Sequence, residues 1–191
     1  MYFKFMIVVD IETTGLNPEK CSILSIGAVD FLNPTNQFYG ECRIFDGAEV
    51  TKEALNINGF SYDEIQSLNK KSESELVKEF VSWVNNISNK TFAGHNPHFD
   101  FGFLKFAALR ANVILPFRSG WFLDLHTLCY AKNIQKGIYL QLSSTDIFNS
   151  VGLPKEPNPH NALNGAKFVA EAISRIIHQK NLLDNFKKFP V

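Results

Sequence analysis

The sequence lacks net charge. Its 19 Lys and Arg are matched by 19 Asp and Glu, so the formal charge at neutral pH is zero. That excludes a global basic field, and any contact with nucleic acid has to be local. Cysteine is scarce too. Cys21, Cys42 and Cys129 form no CxxC pair and are odd in number. Neither a disulfide framework nor a structural zinc site is expected on that ground; reduced, packed thiols are. No apolar run reaches membrane length. MYFKFMIVVDIE is apolar only until Asp10 and Glu12 interrupt it, so a strand is expected there rather than a signal peptide. The protein is therefore expected to be cytoplasmic, with no membrane partner. Repeats, low-complexity tracts and linkers are absent as well.

What is present suits one globular domain, expected to span residues 1–191. Hydrophobic residues make up 45% of the chain and charged residues 20%, which excludes disorder. The 18 Phe predict an aromatic-rich core. Apolar and β-branched runs predict strands at Phe3–Val9, Ser22–Phe31 and Gln37–Phe45. Ser61 with Glu64, and Ser72 with Glu75, have capping-box spacing and predict a helix after each. The second helix carries Leu76, Phe80, Val84 and Ile87 on one face. Then follow a short strand at Thr91–Gly94, a helix at Pro97–Ala111, a strand at Trp121–Leu123 and a helix at Asp124–Lys132. Helices at Ser143–Val151 and Ala162–Gln179 complete the pattern. Three strands followed by alternating helices and strands predict an α/β sandwich with a mixed sheet.

Asp10 and Glu12 stand two residues apart at the end of the first predicted strand. Period-two geometry puts both on one face. Two close carboxylates repel unless one is protonated or a cation lies between them, and a hard divalent ion such as Mg²⁺ or Mn²⁺ resolves this. Two solvated acids at a strand end are the plain alternative. Asp100 falls in the first turn of the helix opened by Pro97, where an acid also gains from the helix dipole. His95 and His98 flank it and read as structural. His160 follows the Pro-rich loop PKEPNPH and precedes the last helix. A His at such a junction can serve as a general base near pH 7.

Taken in order, VVDIETTGLNP, AGHNPHFDFGFL and PHNAL resemble the DEDDh, or DnaQ-like, 3′→5′ exonucleases. SILSIGAVDF, ALNINGFSYDEI, WFLDLHTL and LSSTDIFNSVGL also look like family features, so the resemblance covers about Met6–Ile177. It implies an α/β, ribonuclease-H-like fold, a mixed β-sheet flanked by helices. It implies two bound Mg²⁺ or Mn²⁺ ions and exonucleolysis at the 3′ ends of single-stranded nucleic acid. Asp10 would bridge both ions, Glu12 would bind the first, and Asp100 would support the second, largely through water. His160 would deprotonate the attacking water. Thr13, Thr14, Gly15 and Leu16 would hold the 3′-terminal nucleotide, and Asn96 would line the same pocket. Several relatives are homodimers, and no apolar stripe in this sequence marks such an interface. The chemistry addresses phosphate, which RNA and DNA share.

One position departs from the pattern. The family has His, four residues, then Asp. Here that place is Gly165, in a helix whose stripe is Ala162, Ala166, Val169 and Ile173. The missing Asp would be the fourth acid, a ligand of the first ion. Asn164 is one position earlier, about 100° away around a helix, and is neutral. Ser25 is a second departure, since relatives often carry Glu before IGAV. Three readings follow from Gly165: an active exonuclease with a weakened first ion site, a variant whose parent has Asp, or a catalytically silent module of the same fold that binds 3′ ends.

Overall fold

The computed structural model describes residues 6–191 other than 89, 119 and 140. Three antiparallel strands come first: β1 (Ile7–Thr13), β2 (Ile23–Asp30) and β3 (Gln37–Glu41). Two short strands, β4 (Phe92–Gly94) and β5 (Phe122–Asp124), add in parallel on the other side of β1. The sheet order is β3-β2-β1-β4-β5, so β1 is central. The helices are α1 (Lys52–Asn58), α2 (Tyr62–Gln66), α3 (Glu73–Asn85), α4 (Pro97–Ala111), α5 (Leu125–Ile134), α6 (Ser144–Ser150) and α7 (Ala162–His178). This is the mixed sheet flanked by helices that the sequence predicts.

Residues on β1 alternate between two cores. Ile7, Val9 and Ile11 join Leu76 and Phe80 of α3 and Phe103 and Leu104 of α4. Met6 and Val8 join Leu125 of α5, Phe148 of α6 and Val169 and Ile173 of α7. Each fully buried Leu, Ile, Val or Phe contributes about 1.5–3 kcal/mol to folding. Period two carries Asp10 and Glu12 onto the α7 side, after Val8.

Three boundaries differ from the sequence reading. The first strand continues to Thr13, because β2 keeps pairing with it through Glu12–Ser25 and Thr13–Ile23. Asp10 and Glu12 therefore lie inside the strand and not at its end, while residues 3–5 lie outside the described residues. β3 stops at Glu41. Beyond it, Arg43 N donates to Lys71 O and Ile44 N to Ile65 O, so the backbone bonds toward the α2–α3 region. A helix absent from the prediction, α1, forms over Lys52–Asn58. Thr51 Oγ1 accepts from Ala54 N, and Gly59 closes it in the left-handed conformation with φ 76°.

Glycine brings α7 onto the sheet. Gly27 is the cross-strand partner of Asp10. A β-carbon there would lie 2.2 Å from the Ala162 carbonyl, so only Gly lets the first turn of α7 rest on β2. Asn161 caps that turn, its Oδ1 accepting from Leu163 N (3.1 Å) and Asn164 N (3.2 Å).

Candidate active site

Asp10 and Glu12 come from the central strand, and Asp100 comes to them from α4. Asp100 is 4% exposed, and its Oδ1 accepts from the backbone N of Ile11 (3.1 Å). The contact fixes the start of α4 against β1, between the two strand acids. Asp124 at the end of β5 holds the same turn. Its Oδ1 accepts from Asn96 N (3.2 Å) and His126 N (3.0 Å), and its Oδ2 from Thr127 Oγ1 (3.0 Å). Asn96 itself is left-handed, with φ 57°.

Burial raises the affinity of these acids for protons. Asp10 is held well above the usual carboxylate range, first by burial and then by the charges of Asp100, Glu12 and Glu156. Glu12 is pushed up to about 8 by burial and by Glu156. Asp100 is raised by burial, against hydrogen bonds from its own backbone and from Ile11. Such a cluster needs protons or cations to offset its charge. Its donors are all carboxylate oxygens, the set that hard divalent ions take. Among the described residues, no three His, Cys, Asp or Glu side chains are already drawn together to hold an ion.

Position 165 faces this cluster. A β-carbon on Gly165 would lie 2.2 Å from Asp10 Oδ2 and 2.7 Å from its Cγ. Asp10 thus fills the room that a side chain on α7 would take. Asn164 is exposed, turned away from the acids.

His160 stands on the loop before α7, half-buried, with its backbone N donating to Ile57 O (3.0 Å) at the end of α1. Burial and the Lys155 charge lower its pKa, which favours neutral imidazole at pH 7. It lines a cavity of about 200 Å³ with Ser25, Tyr39, Asn58 and Asn161. Tyr39 OH accepts from Asn161 Nδ2 (3.0 Å) and donates to Glu41 Oε1 (2.6 Å). Ser25 pairs with Glu12 across the sheet, and its buried Oγ has no hydrogen-bond partner.

A larger cavity, about 440 Å³, opens beside Glu12. Thr13, Gly15 and Leu16 line it, together with Ile57, Asn58 and Phe99. Leu16 is 84% exposed, an apolar side chain presented to solvent at the rim. Thr14 is not part of this lining. It is fully buried, with its Oγ1 donating to Glu49 O (2.6 Å) and accepting from Ser22 N (2.9 Å). The Thr14 side chain is therefore committed to holding the loop. Asn96 is exposed at the start of α4 and lies outside this lining as well. His95 packs its ring 4.1 Å from that of His126, and His98 packs 4.7 Å from Phe122.

Sequence reasoning missed Asn58, whose Nδ2 donates to Thr13 O (3.1 Å) and ties α1 to β1. It also missed Glu156. This acid sits in the Pro-rich loop four residues before His160, and burial pushes its pKa up to about 7. An acid between prolines beside a candidate base is the signal that would have drawn attention to it.

A family model described as an exonuclease, RNase_T, matches residues 7–173. The chain belongs to this exonuclease family. Its fold and motifs place it in the DEDDh, DnaQ-like superfamily. It is 27% identical to a PolC-type DNA polymerase III of Thermotoga petrophila over 171 residues, which is 90% of this chain and 12% of the polymerase. It is 30% identical to ribonuclease T of Vibrio parahaemolyticus over 122 residues, 57% of each chain. In structure it resembles the nuclease domain of 3′hExo, a DEDDh family member bound to rAMP. There the TM-score is 0.73 at 16% identity, covering 95% of this chain and 96% of that one. The exonuclease domain seen here thus spans a small part of the polymerase relatives and about half of the ribonuclease.

Proposed function

We propose that this exonuclease domain removes nucleotides one at a time from the 3′ end of single-stranded RNA or DNA, and that it needs two divalent cations to do so. The observation that carries this reading is the convergence of Asp10, Glu12 and Asp100 beside a cavity of about 440 Å³, which admits a small ligand such as a terminal nucleotide. Asp10 and Glu12 would hold the first Mg²⁺ or Mn²⁺. Asp10 and Asp100 would hold the second. Bound there, the cations would neutralise charge on the phosphate and on the attacking and leaving oxygens.

The chain's own groups do the rest. The loop from Thr13 to Leu16 and the Phe99 ring close around the terminal nucleotide, with Leu16 supplying an apolar face for the base. Asn58 fixes that loop through Thr13 O. His160, neutral because burial and Lys155 oppose its charging, takes the proton of the attacking water. Asn161 and the Ile57 carbonyl hold the backbone on either side of it.

The test is incubation of the pure protein with 3′- and 5′-labelled single-stranded RNA and DNA, with Mn²⁺, Mg²⁺ or EDTA. Stepwise shortening from the 3′ end, lost in EDTA, is expected. Tight binding of 3′ ends with no cleavage at any cation concentration would instead establish the silent binding module.

A further inference from the structure

A general base works only within hydrogen-bond reach of the proton it takes, so the backbone that carries His160 has to be fixed. From one side it is fixed by the end of α1. Pro159 lies against Gly59, where a β-carbon would come within 2.7 Å of the proline Cβ. His160 N donates to Ile57 O (3.0 Å). The residue that follows, Asn161, is held from the opposite side, by a side chain of β3.

That side chain is Tyr39. Its OH accepts from Asn161 Nδ2 (3.0 Å) and donates to Glu41 Oε1 (2.6 Å). A phenol has one proton, and Glu41 takes it, so toward Asn161 the oxygen can only accept. Glu41 is itself set by Lys70, whose Nζ donates to its Oε2 (2.7 Å). The Asn161 amide is fixed from its other end, where Oδ1 accepts from Leu163 N and Asn164 N at the start of α7. Those two bonds decide which way the amide points and leave Nδ2 for Tyr39. A helix cap needs only the oxygen, which Ser or Thr supplies as well. The amide nitrogen is surplus to the cap, and it is the nitrogen that reaches β3. Tyr39, His160 and Asn161 line one cavity of about 200 Å³. Lys70, Glu41, Tyr39 and Asn161 thus form one chain of bonds that ends beside the candidate base.

We propose that Tyr39 is a positioning residue for His160, holding the imidazole toward the attacking water through Asn161. This rests on the reading of His160 as the base. Without the Tyr39 hydroxyl, Nδ2 loses its acceptor and the His160–Asn161 segment keeps its α1 contacts and its helix cap alone. The proton-transfer step is then slowed, while cation binding is untouched, because Tyr39 acts on the loop before α7 and not on the acids of β1.

The experiment compares single-turnover cleavage of a 5′-labelled single-stranded oligonucleotide in saturating Mn²⁺ by the full chain as parent, Tyr39→Phe, His160→Ala and the double variant. Tyr39→Phe keeps the ring and removes the acceptor. Its rate should fall roughly tenfold, below the ~10²-fold that a misplacement of about 1 Å can cost. The half-saturating strand concentration and the Mn²⁺ affinity should not change. In the His160→Ala background the same substitution should have no further effect, as expected of residues that act as a unit. Asn161→Ser keeps a helix cap, loses the arm to β3, and should match Tyr39→Phe. The His160 imidazole resonance, assigned by its loss in His160→Ala, gives a readout without hydrolysis. Removing the Tyr39 hydroxyl should shift or broaden it in metal-free protein. A parent-like rate in Tyr39→Phe, an unmoved resonance, or an equal loss of rate with and without His160 overturns the role of Tyr39. If the parent does not cleave, or His160→Ala cleaves like the parent, the reading of His160 as base falls, and the resonance alone decides whether Tyr39 holds it.

Discussion

Gly165 and Asp10 share one space: a β-carbon on the glycine would lie 2.2 Å from the Oδ2 of the aspartate. The two residues belong to α7 and to the central strand, and Gly27 opposite Asp10 lets those elements meet. A glycine in the first turns of a helix costs about 1 kcal/mol relative to alanine. Here it leaves room for a carboxylate.

Gly165→Ala follows directly. The methyl group would push Asp10 from its position even as it favours the helix. Mn²⁺ affinity is expected to drop, on the order of tenfold, equivalent to ~1.4 kcal/mol. Calorimetry on both proteins measures it. Affinity equal to or tighter than the parent's would show that Asp10 binds the cation from another rotamer.

Metal-free stability should fall as pH rises from about 6.5 to 8, the interval between the ordinary His pKa and the raised Glu12 value. Asp10, Glu12, Asp100 and Glu156 all have raised pKa values, with Glu156 at about 7. An acid raised on folding stabilises the protein fully below its unfolded pKa and loses that contribution as pH passes its folded pKa. His95, held down to about 4, and His160, lowered in the same direction, work in the opposite sense, and most of their effect is gained by the start of this interval. Thermal melts in EDTA across this interval should show a declining midpoint. Mn²⁺ should restore it, most at the alkaline end. A flat profile in EDTA would mean that the four acids do not share the buried field described.

His160→Ala should lower the hydrolysis rate by about 10²–10⁴-fold, the usual contribution of a positioned acid–base group. Mn²⁺ affinity should stay the same, because the imidazole takes a proton and does not bind the cation. Single-turnover kinetics alongside the Mn²⁺ titration separates the two. Parent-like turnover would remove His160 from the mechanism.

Away from the site, Arg175 is 2% exposed and pairs with Glu171 (2.9 Å). Its guanidinium also donates to the carbonyls of Val151, Gly152, Phe186, Phe189 and Pro190. It clamps the C-terminal segment and the end of α6 onto α7. Arg175→Met would leave Glu171 buried without its cation and should cost about 3–5 kcal/mol. Chemical denaturation measures this, and an unchanged midpoint would show that the pair contributes nothing net.

The fold was legible wherever one local signal sufficed. Ser61 with Glu64 and Ser72 with Glu75 form complete capping boxes at the helices they announce. The stripe Ala162, Ala166, Val169 and Ile173 is buried as its spacing requires. Asp10 and Glu12 share a face because a strand has period two. α1 was not legible, since Asn56, Asn58 and Gly59 read as turn residues and only the Thr51 cap marks a start. The packing of Thr14 is set by Glu49 and Ser22, far from it in sequence, so its neighbours in TTGL gave no warning. Glu156 was not legible either, since its loop has no periodicity and the burial that raises its pKa to about 7 is set by the tertiary fold. The glycine at 165 was visible as a departure. Its neighbour Asp10, 155 positions away, needed coordinates.

The most direct measurement is the cleavage of a 5′-labelled single-stranded oligonucleotide by the parent and Asp10→Asn proteins under saturating Mn²⁺, with the released products identified by mass. The parent should shorten the strand from its 3′ end and release nucleoside 5′-monophosphates, and Asp10→Asn or EDTA should abolish both. An intact strand with the parent, or shortening that survives EDTA or the loss of Asp10, would contradict a cation-dependent exonuclease centred on β1.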